Sequence, residues 1–326
     1  MKVSVAMCTY NGSRYLPEQL ESIRRQTLPI HELVVCDDRS QDTTIQLLET
    51  FAATVSFPVH IHVNPSNLGS TKNFEKCMNL CTGDVIFCCD QDDLWHETKV
   101  ARQVAYLEQH PEMDAVFTNA QIIDDDSQPV DRTIWAEIEF DADAQQRWST
   151  GQAYDILFGG YVVTGATLAI RRSILARVSP FPVAYKELIH DAWIALVLSL
   201  QDKIGFIADE LLFYRKHSTQ QVGFGQKKKK VTLKSRFSRD RTLKLAPLRE
   251  KAANYQTLYG LLQARNDIPR EKLAQLIERQ KHFKVRATLP QSRLKRLPRV
   301  LGECIQGRYR YSSKDWWLPF LGDLFE

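Results

Sequence analysis

Through its first 120 residues the chain alternates short, almost wholly apolar runs with stretches that carry an apolar stripe at helical spacing. VSVAMC (3–8) is followed by SRYLPEQLESIRRQ (13–26), where Leu16, Leu20 and Ile23 share one helical face. ELVVCDD (32–38), a helix at about 42–54, VHIHV (59–63), a helix at about 70–81, DVIFCC (84–89), a helix at about 96–109 and DAVFTN (114–119) continue the alternation. A strand that is apolar on both of its faces must be covered on both. The pattern therefore predicts an α/β fold, a doubly wound and mostly parallel sheet of Rossmann-like kind with helices on each side.

In open sheets of this type ligands lie in the crevice at the carboxyl ends of the strands, and the polar clusters fall there. The first strand runs into Thr9, Tyr10, Asn11 and Gly12, the second into Asp37 and Asp38, the fourth into Asp90, Asp92 and Asp93. Three such strand ends point to one shared site. Asp90 and Asp92, at i and i+2 where strand gives way to loop, can turn toward a single cation. Mg²⁺ and Mn²⁺ take oxygen ligands and share their shell with phosphate oxygens. A solvated acidic turn is the competing reading of a DxDD taken alone, but its place at the end of an apolar strand favours the metal. Neither GxGxxG nor GxxxxGK[ST] occurs, so a bound nucleotide must be held by metal and side chains. Tyr10 could stack on a base or be a half-buried aromatic. Asp38 could accept a hydrogen bond from a base N–H, or with Asp37 form the turn before a helix capped by Ser40 and Asp42.

Past residue 120 the periodicity loosens. Residues 124–147 are acidic and turn-rich and read as a surface excursion, YVVTGATLAIRR (161–172) as a strand, HDAWIALVLSL (190–200) as a buried helix, and IGFIADELLFYRKH (204–217) as strands. QKKKK (226–230) then breaks the composition. Residues 1–226 hold 18 Lys and Arg against 30 Asp and Glu, whereas 227–326 hold 25 against 9. This asymmetry separates a domain at 1–225 from a basic, mainly helical extension at 226–326, with candidate helices at about 239–264 and 270–285 and an aromatic tail at 308–325. The seven cysteines form no CxxC pair; Cys77 and Cys81 lack a matching Cys/His pair at zinc spacing and read as core thiols in a reducing, cytoplasmic setting. No apolar run approaches the roughly 20 residues of a membrane span, and MKVSVAMCTYNG reads as a first strand, not a leader.

Taken in order, CTYNG (8–12), VVCDDRSQDTT (34–44), NLGSTKNF (67–74), the DxDD at 90–93, VTGATLAIRR (163–172), HDAWIALV (190–197) and YRKH (214–217) resemble the family 2 glycosyltransferases, inverting enzymes of GT-A fold. The resemblance covers roughly residues 1–225 and is nearest to bacterial enzymes of surface-polysaccharide assembly, rhamnosyltransferases among them. It implies that Tyr10 and Asp38 hold the uracil or thymine of a nucleotide-diphosphate sugar donor, that Thr9, Asn11 and Asp37 also bind that donor, and that Asn67, Gly69 and Asn73 shape the pocket. Asp90 and Asp92 would meet donor ribose and a metal-bound diphosphate, and His217 would add a late ligand to Mn²⁺ or Mg²⁺. Asp191, in a His190-Asp191 pair where the family usually has ED, would be the base on the acceptor hydroxyl. Asp93 and Trp193 are candidates to face the acceptor. Asp191 could equally be a helix N-terminal Asp, and Trp193 core.

The basic extension admits three partners. Lys/Arg clusters beside Trp316, Trp317, Phe320 and Leu321 suit an anionic membrane surface; solvated helix faces come next, and nucleic acid last. The expectation is an inverting transferase moving a sugar from a UDP- or dTDP-sugar to a saccharide, lipid-linked by inference, in lipopolysaccharide, O-antigen or capsule synthesis, cytoplasmic and peripheral on the inner face of the cell membrane. The alternative is a nucleotidyltransferase or a non-catalytic nucleotide-sugar-binding protein. The first of these is disfavoured because the CTYNG loop has no Gly-rich, lysine-bearing signature.

Overall fold

Strand β1 (Val3–Thr9) lies between β2 (Glu32–Asp37) and β4 (Val85–Cys89) and is parallel to both, while β3 (Val59–Val63) extends the parallel set beyond β2. The central strands earn that position by composition: every residue of β2 and β4 is buried, whereas β3 at the edge is half-buried to exposed. Beyond β4 comes β8 (Ala169–Arg171), antiparallel to it and to β6 (Ala115–Ile123). β6 thus points the same way as β4, and β9 (Ile204–Arg215) runs parallel to β6. β5 (Leu94–Trp95) closes the path on β9, and β7 (Pro129–Thr133) pairs with β6 off the main path. The sheet is mixed and mostly parallel, and the carboxyl ends of β1, β2, β4, β6 and β9 share one edge.

Helices α1 (Leu16–Arg24), α2 (Thr44–Ala52), α3 (Ser70–Leu80) and α4 (Lys99–Gln109) cover the sheet with the stripes that periodicity predicts: Leu16, Leu20 and Ile23 in α1, Phe74, Cys77 and Met78 in α3, Val100, Val104 and Leu107 in α4. The short helices α5 (Ile134–Glu137), α6 (Ala142–Arg147), α7 (Ala153–Gly159) and α8 (Leu175–Val178) precede α9 (His190–Ser199), in which every residue but Ala192 is buried. Three local expectations change. The 161–172 stretch is not one strand: Gly165–Thr167 form a 3₁₀ turn and only Ala169–Arg171 pair. The 204–217 stretch is one long strand, bent by irregularities opposite Thr118 and Asn119. The acidic excursion after β6 is not surface throughout: Ile134, Trp135 and Phe140 turn inward, and the rings of Trp135, Phe140 and Trp148 gather around Phe117. Aromatic burial there outweighs the turn-forming, acidic composition.

The computed structural model describes residues 1–182, 188–217, 241–313 and 315–325, and the chain divides into two compact units, Met1–Phe224 and Gly225–Glu326. The QKKKK run lies outside the described residues. The second unit is helical: α10 (Arg241–Leu262), α11 (Arg270–Ala287), α12 (Arg293–Ile305) and α13 (Trp317–Phe325). Its core includes Leu289, Val300 and Tyr309 with Phe320 and Leu324 against them. Into this small core the chain also builds a polar network. His282 Nδ1 lies 2.7 Å from Glu303 Oε2 and its Nε2 2.8 Å from Ser312 Oγ, while Arg286 Nε donates to Asp323 Oδ2 at 2.5 Å and the Tyr309 hydroxyl donates to the same oxygen at 3.0 Å. Among the described residues no helix is long and apolar enough to cross a membrane.

Candidate active site

The carboxyl edge of β1 and β2 is built as an interlocked set of loops. Thr9 Oγ1 donates to Asp37 Oδ2 at 2.7 Å, and Asp37 also accepts from the amide and hydroxyl of Ser40 at 2.7 and 2.6 Å. Asn11 stands at φ +49° and accepts from the Gln41 amide at 2.8 Å, while its own amide donates to Ser40 Oγ. The short polar side chain of Asn tolerates that left-handed backbone better than most residues. Tyr10, partly exposed, has its backbone held at both ends by the Gln91 side chain: the Tyr10 amide donates to Oε1 at 2.8 Å and its carbonyl accepts from Nε2 at 3.1 Å. Gln91, the middle residue of the DxD, thereby ties the first and fourth strand ends together. A Cβ at Gly12 would fall 2.2 Å from Gln91 Oε1 and would push the Gln91 amide off Tyr10.

Asp38 is buried, and its carboxylate gathers the 64–69 loop by accepting from Asn64 Nδ2 at 2.8 Å, the Leu68 amide at 2.7 Å and the Gly69 amide at 2.9 Å. Gly69, at φ +75°, starts α3 in a backbone state that other residues rarely take. Asn73 is likewise buried, with Nδ2 on Cys36 O and Oδ1 on Asn64, and Asn67 is exposed beside it. These residues therefore hold the pocket wall; of the donor set, Tyr10 and Asn67 present the most side chain outward. The thiols of Cys77, Cys88 and Cys89 are buried, and that burial pushes them well above the usual thiol range, where they stay protonated and poor as metal ligands.

At the end of β4 the three carboxylates take different surroundings. Asp90 keeps part of its surface in solvent yet is ringed by protein; burial first, then the charges of Asp92 and Asp191, push it up to about 8. Asp92 Oδ2 lies 2.8 Å from His217 Nε2, and the His217 ring packs at 4.8 Å against that of Tyr15. Asp93 is buried and raised by that burial and by Asp92 and Asp90; its Oδ1 accepts from the Arg215 amide at 2.9 Å, while its Oδ2 has no hydrogen-bond partner. Asp93, expected to face an acceptor, is 1% exposed and held by the Arg215 amide, the place of a loop anchor.

Arg215, absent from the sequence-based site, organises this corner. Its fully buried guanidinium lies 4.7 Å above the Tyr15 ring and donates to Asp92 O, Asp124 O, Asp125 O, Ser127 Oγ and Glu18 Oε2 at 2.8 to 3.3 Å. The charge of Arg215 is thus taken up by loops of the protein itself. Beneath the corner, Lys99 is buried among the Phe87 and Trp95 rings with Gln103 Oε1 at 2.9 Å, and burial lowers it to about 7.

Asp191 occupies the first turn of α9 and is buried. Its Oδ2 accepts from the Gly165 amide at 2.6 Å and from the Tyr161 hydroxyl, and its Oδ1 from the Ala192 amide at 2.6 Å. These donors fix the orientation of the carboxylate. A Cβ on Gly165 would meet His190 Nε2 at 2.7 Å and Asp191 Oδ2 at 3.0 Å, which explains the glycine in VTGAT. His190 stacks on Phe74 at 3.9 Å, burial lowers its pKa, and neither ring nitrogen has a hydrogen-bond partner. Trp193 departs from expectation: it is 4% exposed and its indole N–H is donated to Val178 O at 2.7 Å, so it belongs to the core and not to an acceptor site.

The structure therefore brings Asp90, Asp92, His217 and Asp191 to one edge, Asp90 and Asp191 near enough for each charge to act on the other. For a hard divalent ion the fit is good in kind, two carboxylates and an imidazole. In arrangement it is partial: the Asp92–His217 pair is closed on itself, and no group of three metal-ligating side chains occurs among the described residues. Tyr161, Gly165, Gln91 and Arg215 are the functional residues that spacing alone does not single out.

Comparison with known proteins supplies the family. The model of glycosyl transferase family 2 matches residues 4–178. EpsE of Bacillus subtilis (strain 168), a glycosyltransferase by designation, is 36% identical over 124 residues, 38% of this chain and 45% of that protein. The dTDP-rhamnosyl transferase RfbG of Shigella flexneri is 35% identical over 120 residues, 35% of this chain and 38% of its own length. The chain thus spans less than half the length of either curated relative. Among solved structures, the mannosyltransferase PcManGT from Pyrobaculum calidifontis, in complex with GDP-Man and Mn²⁺, superposes with a TM-score of 0.55 at 16% identity, over 99% of this chain and 84% of that one, a likeness of fold.

Proposed function

The chain belongs to glycosyl transferase family 2 and is a glycosyltransferase; from that membership we propose that it moves a sugar from a UDP- or dTDP-sugar to a hydroxyl of a saccharide acceptor, inverting the anomeric centre. The acceptor is lipid-linked, the product a bacterial surface polysaccharide, and the enzyme works at the inner face of the cell membrane. The observation that carries this reading is the meeting of two acidic groups at one strand edge: the DxD at the end of β4 and Asp191 at the start of α9, whose charges act on one another. The name of RfbG supports a dTDP-linked donor.

In this reading the loops after β1 and β2 receive the base, with Tyr10 stacked on it and Asp38 fixing the loop that carries Asn67. Asp90 and Asp92, with His217 released from Asp92, would hold Mn²⁺ or Mg²⁺, which when bound supplies neutralising charge for the donor diphosphate. Asp191 takes the proton of the attacking hydroxyl. Tyr161 and the Gly165 amide fix its Oδ2, and a base must lie within about 3 Å of the hydroxyl it deprotonates.

Thermal melting with a panel of UDP- and dTDP-sugars in Mn²⁺, run on the wild type and on Asp191→Asn, tests this. One donor should stabilise both proteins equally, while transfer by the variant falls by about 10²–10⁴-fold. A variant that transfers sugar at the wild-type rate would remove Asp191 from the mechanism, and stabilisation by no donor would remove the donor class.

A further inference from the structure

Helix α12 is built inside out. Its inward residues are Arg296, Val300 and Glu303, whereas Leu294, Leu297, Leu301 and Ile305 stand 84%, 42%, 41% and 85% exposed. Their spacing of three, four and four residues places them in one stripe along the helix. Helix α13, which packs on α12, repeats the pattern: Asp323 is buried and held by Arg286 and Tyr309, while Trp317, Leu321 and Phe325 are 48%, 40% and 50% exposed at four-residue intervals, with Trp316 beside them at 41%. Burying Arg, Glu and Asp while leaving seven large apolar side chains and Trp316 in water runs against the ordinary balance of folding. The arrangement becomes favourable when an apolar medium covers the outer face.

The charges around the stripe say which medium. Arg293, Lys295 and Arg299 are exposed on α12 and Arg310 just beyond it, and the one acid of α12, Glu303, is turned inward to His282 and Arg308. Leucines and tryptophans edged by Lys and Arg are the composition of a helix lying in an anionic bilayer interface. A second copy would bring the same cations face to face.

We propose that α12 and α13 form a single lipid-docking face, with Leu294, Leu297, Leu301, Ile305, Trp317, Leu321 and Phe325 entering the headgroup–acyl boundary and Arg293, Lys295 and Arg299 pairing with anionic headgroups. This rests on the membrane-facing part of the function proposed above and assigns it to particular residues. Cosedimentation of the full chain with vesicles of phosphatidylglycerol and phosphatidylethanolamine, or of phosphatidylcholine alone, tests it. The wild type should bind the anionic vesicles. Leu297→Glu/Leu301→Glu should bind them more than tenfold less, with an unchanged circular dichroism spectrum and donor-induced thermal shift. Arg293→Gln/Lys295→Gln/Arg299→Gln should lose the preference for anionic over neutral vesicles. If the wild type binds and the leucine variant binds equally, the face is wrong although the membrane reading stands. If the wild type binds no vesicle, both fail. A wild type that binds none and is a dimer made monomeric by the leucine variant would assign the face to a second copy instead.

Discussion

Asp90 shows what a single side chain can disclose about a site. A carboxyl held at about 8 by burial and by the charges of Asp92 and Asp191 keeps a proton that the unfolded chain, titrating near 4, has already released. Its contribution to stability is therefore fully present below about pH 4 and lost as the pH rises toward 8. In chelator, Asp90→Asn should melt at least about 2 °C above the wild type at pH 8.5, with the gap closing toward pH 5. Mn²⁺ should stabilise the wild type more as the pH rises and leave the variant unmoved. Parallel melting curves across that range would show that Asp90 carries no such strain. Tyr161 and Gly165 act on Asp191 at the same scale, and neither is legible in a spacing pattern, because a backbone amide and a phenol from a loop meet the start of a distant helix only after folding.

Among elements, the pairing of β9 with the DxD loop sets the geometry. Arg215 closes β9 onto α1, the DxD and the 124–127 turn, and its loss takes a donor from three part-buried carbonyl groups. Arg215→Met should cost about 2 kcal/mol or more in denaturant unfolding and weaken donor binding. Glu18→Gln, which removes only the exposed partner of the same guanidinium, should cost under about 1 kcal/mol. Equal losses would mean that the ion pair, not the carbonyl set, holds the corner. The long elements could be read in advance because their apolar residues repeat with the period of the structure that buries them; α1, α3, α4, β2 and β4 follow that rule. β8 was legible only as part of a longer strand over 161–172, because a strand of three residues has too few positions to establish a period. The DxD, Asp191 and His217 were visible through their order along the chain. Trp193 and Asp93 were misplaced because burial at their positions comes from neighbouring elements.

Across the whole molecule, the two units hold themselves together by different means. The first buries continuous apolar strands, while the second relies on a smaller core threaded by His282, Glu303, Ser312, Arg286 and Asp323. Truncating His282 frees Glu303 Oε2 and leaves Arg308 as the partner of that buried carboxylate. His282→Ala should lower stability by about 1–3 kcal/mol and release amide-exchange protection across Arg270–Ala287 and Arg293–Ile305. Unchanged protection there would assign the network a passive part. In the first unit, β8 carries a consequence of another sort. Because it runs against its neighbours, β8 carries the chain away from the shared edge, whereas β1, β2 and β4 carry it to that edge. The segment feeding β8, which holds Tyr161 and Gly165, therefore meets the edge at an amino end, apart from the three loops that leave β1, β2 and β4. On the function proposed above, it could be lengthened or exchanged without disturbing the strand ends assigned to the nucleotide, and a single reversed strand of three residues is what would separate the two halves of the reaction.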